Sequence, residues 1–340
     1  MKVQGLAGKV MTIRGPVSPQ MLGAVLMHEH LYFDLAAMQE EGQTPPERIE
    51  LLRNYCAPHL KQLHTYGCHT VVDCSAMPGR AEPKVYQMLA EASDCHIVLA
   101  TGFYREAAPD ESRPIGSGWL HRWLDPRVVS ADINAIADLM IEEFENGIRG
   151  SSVRPGIIKL ASTKPTMTTG EEKAFRAGAL AQRRTGLCIT THAIELGTAE
   201  AQIDLLESAG VNPSRVILGH AQRHIVETPW VVRRCMDRGA VFLPTNLRMD
   251  REFDYIRRLV NGIRRLFDGG YGDRLVLGLD WSFCNTAGPF IPCSFMPPPP
   301  YVYLFQYALP RMRELGLEEG AIEQMLVQNP ARLLPIQNTN

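Results

Sequence analysis

Short apolar runs recur along the chain, separated by helix-length amphipathic stretches. Eight can be picked out, at 25–30, 70–75, 96–103, 156–162, 187–193, 215–221, 240–246 and 274–280. Each is nearly continuous in its apolar character, which suits strands buried on both faces of a parallel sheet rather than half-solvated hairpins. Between them, apolar residues fall at spacings of three and four over Glu47 to Tyr66, Glu82 to Ser93, Ser130 to Gly147, Gly170 to Thr185, Gly197 to Ala209 and Thr228 to Arg238. That is the period of a helix with one buried face. Several stretches end at a glycine, Gly67, Gly186, Gly210 and Gly239 among them, where a left-handed cap would return the chain to the next strand. Strand then helix, eight times over, predicts an α/β fold, a (β/α)8 TIM barrel, with a doubly wound open sheet as the alternative.

Ahead of the first run, Val10-Met-Thr-Ile-Arg14 followed by Gly15-Pro16-Val-Ser reads as a short N-terminal β-hairpin covering the barrel bottom. The expected organisation is a single domain over 1–340, with the hairpin in 1–22 and the barrel in 23–335. Two connections exceed ordinary loop length, Arg105 to Pro126 and Ser282 to Pro300 with its Pro297-Pro-Pro-Pro300 run. They follow strands 3 and 8, so they would rise from the C-terminal rim where such barrels hold their sites.

Composition narrows the function classes. At 340 residues and 45% apolar content, the chain can bury a large core, and α/β barrels use this much chain as one unit. A formal net charge of -2 leaves no global field to attract nucleic acid or an anionic membrane, and a small-molecule substrate is the expected partner. The eight cysteines include no Cys-x-x-Cys, and Cys74 and Cys188 lie inside strand-like runs, where thiols behave as small hydrophobes. They read as reduced. With no signal-peptide core and no run of transmembrane length, a cytoplasmic location is expected.

The candidate chemistry sits at the ends of the runs. His28-Glu29-His30 closes the first, and period-two alternation projects both imidazoles to one side. Lys159, His192, His220 and Asp280 each close another, in Gly-Ile-Ile-Lys, Ile-Thr-Thr-His, Ile-Leu-Gly-His and Leu-Gly-Leu-Asp. Parallel strands deliver their C-terminal residues to a common mouth, so these groups would meet. His28, His30 and Asp280 would hold one cation, and His192 and His220 a second. Imidazole and carboxylate ligands suit Zn²⁺ or a similar divalent metal, with Co, Mn or Fe as the other ions. A buried ammonium beside two dications is strongly disfavoured, so Lys159 must be neutral or chemically altered.

In these motifs, and in the terminal Gln328-Asn329-Pro330-Ala331-Arg332, the chain resembles the phosphotriesterase-related family of the amidohydrolase superfamily over nearly its whole length. The resemblance implies a carbamate, formed from CO₂ on Lys159, that bridges both metals. It also carries His28, His30, Lys159, His192, His220 and Asp280 one for one onto the family's metal positions. Two metals about 3.5–4 Å apart can share a hydroxide and polarise a substrate oxygen, so hydrolysis is the reaction class implied. The family gives Asp280 a second role in accepting and passing on the proton, the alternative being that it is a ligand only. Homodimers are common among similar proteins.

Pocket residues must decide the bond that is cut. Thr101-Gly102-Phe103-Tyr104 matches lactonase-like members in which the tyrosine reaches over the metals, which makes Tyr104 a candidate for catalysis and substrate binding. Two departures stand out. After His220 the chain reads Ala221-Gln222-Arg223-His224, where many relatives carry aspartate two residues on, and strand 7 ends in Thr245-Asn246-Leu247-Arg248 rather than Phe-Asp or Leu-Asp. Asn246 and Arg248 are therefore candidates to face the substrate. Trp281 and Phe283, with Phe290, Phe295, Met296 and Tyr301, would offer an apolar wall for an acyl or aryl group, or else a lid or dimer contact. The leading expectation is ester hydrolysis, lactones first, with weak organophosphate hydrolysis. The alternatives are a true phosphotriesterase, an N-acyl amide hydrolase, a Schiff-base aldolase acting through Lys159, and a binding-only barrel with structural metals.

Overall fold

The computed structural model describes residues 5–33, 44, 46–77, 79–106, 126–162, 164–247, 253–284, 291–292 and 301–339. Two short strands, β1 (Val10–Thr12) and β2 (Gly15–Val17), pair antiparallel as the N-terminal hairpin. The barrel strands follow: β3 (Ala24–Phe33), β4 (Cys68–Asp73), β5 (His96–Gly102), β6 (Ile157–Ala161), β7 (Cys188–His192), β8 (Val216–Gly219) and β9 (Val241–Leu243). They pair in sequence order, all parallel, and helices fill the connections. Next to β3 lies β10 (Ser282–Cys284), parallel to it, and β11 (Ile291–Pro292) pairs antiparallel with β10.

The eighth expected run, 274–280, closes the sheet without forming a regular ladder. Val276 N–H donates to Phe242 O at 3.1 Å on the β9 side. Met27 N–H donates to Leu277 O at 3.0 Å, and Asp280 N–H to His28 O at 2.8 Å, on the β3 side. The ladder is interrupted because a side chain takes the intervening amides: Leu279 N–H and Trp281 N–H both donate to the Glu29 carboxylate. Asn329, of the terminal Gln-Asn-Pro-Ala-Arg motif, fastens the start of this segment, its Nδ2 donating to Gly272 O at 2.8 Å and Leu275 O at 2.6 Å.

Two apolar layers explain why the runs lack alternation. Inward residues Val25, Met27, Val72, Cys74, Val98, Ala100, Ile157, Cys188, Ile217, Val241, Leu243 and Val276 fill the lumen, and Val10, Leu22, Leu333 and Leu334 close its lower end. Their outward neighbours, such as Leu26, Val71, Ile158, Ile189 and Leu218, pack on the helices. The hairpin sits on the lower end, where Ile13 N–H donates to Ile97 O at 3.0 Å.

Helix boundaries follow local chemistry. The expected Ser130–Gly147 helix is two, Pro126–Ser130 and Ile133–Asn146, because Asp132 caps the second by accepting from Ala135 N–H. Thr168 and Glu171 form a reciprocal capping box that starts Thr169–Thr185. Three wide turns, Leu52–Cys56, Leu304–Ala308 and Gln324–Gln328, each precede a helical segment with proline at its second position, Pro58, Pro310 and Pro330. A proline lacks the N–H and crowds the carbonyl one turn back, so the helix widens there rather than breaking. Among the described residues no helix is long and apolar enough to cross a membrane.

Candidate metal centre

Strand parity decides what enters the lumen. On β6, Ile157 faces inward, so Lys159 does too, and it is fully buried. On β7, Cys188, Thr190 and His192 share the inner face. The first strand is different. Val25 and Met27 are lumenal, so plain alternation would send Glu29 inward and both histidines out. Between Leu26 and Glu29, however, three steps of β3 are set against two of β4, from Val71 to Asp73. This β-bulge inserts one residue and reverses the parity, turning His28 and His30 to the lumen. Glycines make room for it: a Cβ on Gly278 would lie 2.7 Å from His28 N, and one on Gly219 would crowd His28 Nδ1 at 3.1 Å.

The strand ends bring the six candidates together. Lys159 Nζ lies 3.1 Å from His28 Nε2. Ring centroids are 5.6 Å apart for His28 and His30, 4.9 Å for His28 and His220, and 4.3 Å for His192 and His220. Asp280 Oδ1 is 3.7 Å from His28 Nε2 and 3.4 Å from His30 Nε2, while Oδ2 is 3.6 Å from His220 Nδ1. The ligand atoms of His28, His220 and Asp280 all lie within 4.8 Å of one another, so the two expected ligand sets interlock. His220, Asn246 and Asp280 adopt left-handed backbone, with φ of 60°, 50° and 58°, at the ends of three consecutive barrel segments. Each non-glycine residue there costs roughly 1–2 kcal/mol, a strain that concentrates at functional rims.

Surrounding groups fix the ligands. His30 Nδ1 shares a hydrogen bond with Ser75 Oγ at 2.9 Å, which turns Nε2 towards Asp280. Asp73 in turn accepts from Ser75 N–H at 2.8 Å and Leu31 N–H at 2.6 Å. His220 Nδ1 meets Thr245 Oγ1 at 3.0 Å, and Thr245 N–H donates to Gln222 Oε1 at 3.0 Å. Gln222 is the residue that departs from the family's aspartate, and here it braces the end of β9. Asn246 Nδ2 donates to Asp280 Oδ2 at 3.2 Å. Gln202 holds His192 through its carbonyl at 2.7 Å.

Burial, then the Lys159 charge, holds the His28 imidazole well below its ordinary pKa. Burial and His220 do the same to His192. Burial brings His220 down to about 4, although Asp280 opposes the shift. Burial also lowers the Lys159 ammonium. For Asp280, burial pushes upward, but His220, His30 and Lys159 together hold the carboxyl below its usual value. At neutral pH the His28, His192 and His220 imidazoles are thus neutral and the Asp280 carboxylate ionised, the state that metal coordination demands. His28 Nδ1 is buried without a hydrogen-bond partner. The donor set fits divalent cations.

Other candidates divide. Tyr104 is half-buried with its ring centroid 5.6 Å from that of His192. Asn246 serves Asp280, as described. Trp281 corrects the expectation of an apolar pocket wall: it is 1% exposed, packs edge-on against the equally buried Tyr301 at 6.4 Å, and belongs to the core behind the site. The reason is again Glu29, which holds the Trp281 amide and turns the chain outward there. Phe283 lies on β10, but its side chain is outside the described residues, as are Arg248, Phe290, Phe295, Met296 and His121. Of the remaining histidines, His224 is buried and bonded to Ala193 O at 2.9 Å, and His64 pairs with His69 at the barrel's lower end. Glu29, Asp73, Ser75, Thr245 and Gln202 are supporting residues that sequence reasoning passed over. Their only signal was position at or beside a strand end.

A closed parallel barrel with four imidazoles, a lysine and a carboxylate gathered at its C-terminal mouth defines a metal-dependent hydrolase. The phosphotriesterase family model matches residues 8–334, and the chain belongs to that family of binuclear metal enzymes. It is 28% identical to the phosphotriesterase homology protein of Mycobacterium tuberculosis over 334 residues, 96% of this chain and 97% of that one. The organophosphorus hydrolase from Deinococcus radiodurans is similar in structure, with a TM-score of 0.80 and 27% identity over 97% of this chain and 98% of that one. So is a chain from the engineering of organophosphate hydrolysis activity out of a weak promiscuous lactonase template, with a TM-score of 0.79 and 28% identity over 96% and 99% of the two chains.

Proposed function

We propose that this protein hydrolyses carboxylic esters, lactones foremost. The centre consists of two divalent cations, zinc by preference, held by His28, His30, His192, His220, Asp280 and a carbamate on Lys159. The observation that carries the lactone reading is the position of Tyr104. It lies two residues after β5 and stands edge-on to His192 at 5.6 Å, where its hydroxyl would donate to the carbonyl oxygen of a substrate bound at the centre. The likeness to a chain built on a lactonase template supports it.

Cations bound here supply an acidified water and a Lewis acid for the substrate oxygen. The chain's own groups do the rest. Asp280 is the most open of the described ligands at 22% side-chain exposure, and Asn246 steadies it, so it can take a proton and release it towards the mouth. Against two dications Asp280 offers one negative charge. A carbamate, formed when Lys159 Nζ bonds to the carbon of CO₂ and loses a proton, adds the second. The six described cysteines are free thiols, in keeping with the reducing cytoplasm where we place the reaction.

A screen of the zinc-loaded protein against lactones, aryl esters, N-acyl amino acids and organophosphates tests the reading. Lactones should give the highest kcat/KM, with activity lost to a chelator and restored by zinc. A higher kcat/KM for phosphotriesters would favour the second reading, for which the likeness to an organophosphorus hydrolase speaks. A borohydride-trapped adduct on Lys159 would replace both with an aldolase.

A further inference from the structure

On the outside of the barrel, the helices Gln222–Glu227, Pro229–Asp237 and Phe253–Asp268 enclose a cavity of about 300 Å³. Its apolar lining is Ile225, Val226, Pro229, Val232 and Leu266, and Arg233, Arg258 and Arg265 line it alongside. No carboxylate is among the described lining residues. The helices approach closely at its floor, where a Cβ on Gly262 would meet Ile225 Cγ2 at 2.6 Å.

The three guanidinium groups are exposed and converge on one cavity. Other arginines on the same helices are paired, Arg234 with Glu200, Arg238 with Asp204 and Glu207, and Arg257 with Asp254, whereas Arg264, outside the cavity, is paired with no described residue. The guanidinium groups of Arg233, Arg258 and Arg265 make no ion pair or hydrogen bond with any described residue. Arg265 lies in the last turn of its helix, where the helix dipole favours a cation. Arg233 and Arg258 have no such account. A larger crevice of about 610 Å³ at the barrel's lower end also holds arginines, but Arg183 and Arg184 there end the helix Thr169–Thr185, and Asp138 shares the lining. Of these two cavities among the described residues, the smaller joins three exposed guanidinium groups to an apolar floor.

We propose that this cavity is a binding site for a free small molecule with one anionic head group, carboxylate, sulfonate or phosphate, on a short hydrocarbon body. At roughly 30 Å³ per non-hydrogen atom, the volume takes a hydrocarbon body of about ten atoms, with the head group at the rim where the arginines are exposed. The head lies among Arg233, Arg258 and Arg265, in charge-assisted hydrogen bonds, and the tail covers Val232 and Leu266. The cavity shares no lining residue with the metal centre, and the proposal is independent of which bond that centre cuts.

Decanesulfonate is a suitable probe, being permanently charged and a poor metal ligand. Titration calorimetry of the zinc-loaded protein below the micelle concentration should show one saturable site. Decanol and methanesulfonate should each bind at least tenfold more weakly. Arg233→Gln and Arg258→Gln should each weaken decanesulfonate about tenfold, the effect of one charge-assisted hydrogen bond, while KM for the preferred substrate stays unchanged. Equal affinity for decanol, unaltered affinity in the two variants combined, or arginine-dependent binding to phosphatidylglycerol vesicles without binding of the monomer would each overturn the proposal.

Discussion

Glu29 Oε2 accepts the backbone N–H of Trp281 at 2.9 Å, and its other oxygen accepts that of Leu279 at 2.7 Å. Asp280 lies between those two amides. The middle residue of His-Glu-His thus couples the first strand to the segment that closes the barrel, and one bulge sets both the histidines and the aspartate. The carboxylate is fully buried, so each amide would be left unsatisfied without it. In Glu29→Gln one oxygen becomes an NH₂ group that faces a donor. Loss of one buried bond costs about 1–3 kcal/mol of stability. Misplacing a supporting group typically weakens a metal site 10- to 100-fold. Chelator competition and denaturant unfolding measure the two losses, and a variant with wild-type values in both would remove Glu29 from the support of the centre.

Lys159→Ala removes the amine 3.1 Å from His28 Nε2. The variant should lose metal and turnover together, and a short carboxylate such as propionate should restore part of both by entering the space left behind. Elemental analysis before and after addition checks the metal, and intact-mass measurement of the native protein near neutral pH checks for one added CO₂. Full activity without the amine would exclude any bridging role.

How far this site was legible in the sequence depends on the range of the interaction. Lys159 could be read because Ile157 and Lys159 share a face of one strand, and His192 likewise follows Cys188 and Thr190. The inward aim of His28 could not be derived correctly from alternation alone. It depends on a bulge against β4 and on the room left by Gly278, some 250 positions away. The role of Glu29 was hidden for the same reason, its partners being backbone amides that carry no residue-type signal. Trp281 was misread because a large apolar residue after a strand end looks like a pocket wall until the direction of the chain is known. Helix ends were read to within a few residues where a cap was local, and one helix too few was expected where Asp132 starts a second helix. The eighth segment was expected as a strand from its apolar residues, yet its hydrogen bonds are shared with a side chain.

Asn246 combines a strained backbone, φ 50°, with a hydrogen bond to Asp280 Oδ2 at 3.2 Å, and substitution separates the two. Glycine relieves the left-handed conformation, whereas alanine suffers it, so Asn246→Gly should be more stable than Asn246→Ala by about 1 kcal/mol. Both variants lose the hydrogen bond that steadies Asp280. Both should therefore lower kcat by a similar factor, about tenfold, with little change in KM. Chemical denaturation and steady-state kinetics separate the effects. Equal stability of the two variants would deny the strain, and an unchanged kcat would deny the positioning.

Buried thiols set a limit on alkaline stability. Burial pushes Cys56, Cys74 and Cys235 from 9.0 up to about 12, and Cys95 to about 11. Each folded-state pKa lies above its unfolded value, so the fold binds more protons than the unfolded chain between the two. The associated stability is complete below pH 9 and is lost as pH rises towards 12. At pH 8 these thiols are protonated, enclosed and inert to a disulfide reagent. The native protein should titrate at most two of its eight cysteines, Cys284 and Cys293, whose side chains lie outside the described ones, and all eight after denaturation. Rapid reaction of more than two thiols in the folded enzyme at pH 8 would show that the lumen and the helix layer open far more readily than their packing implies.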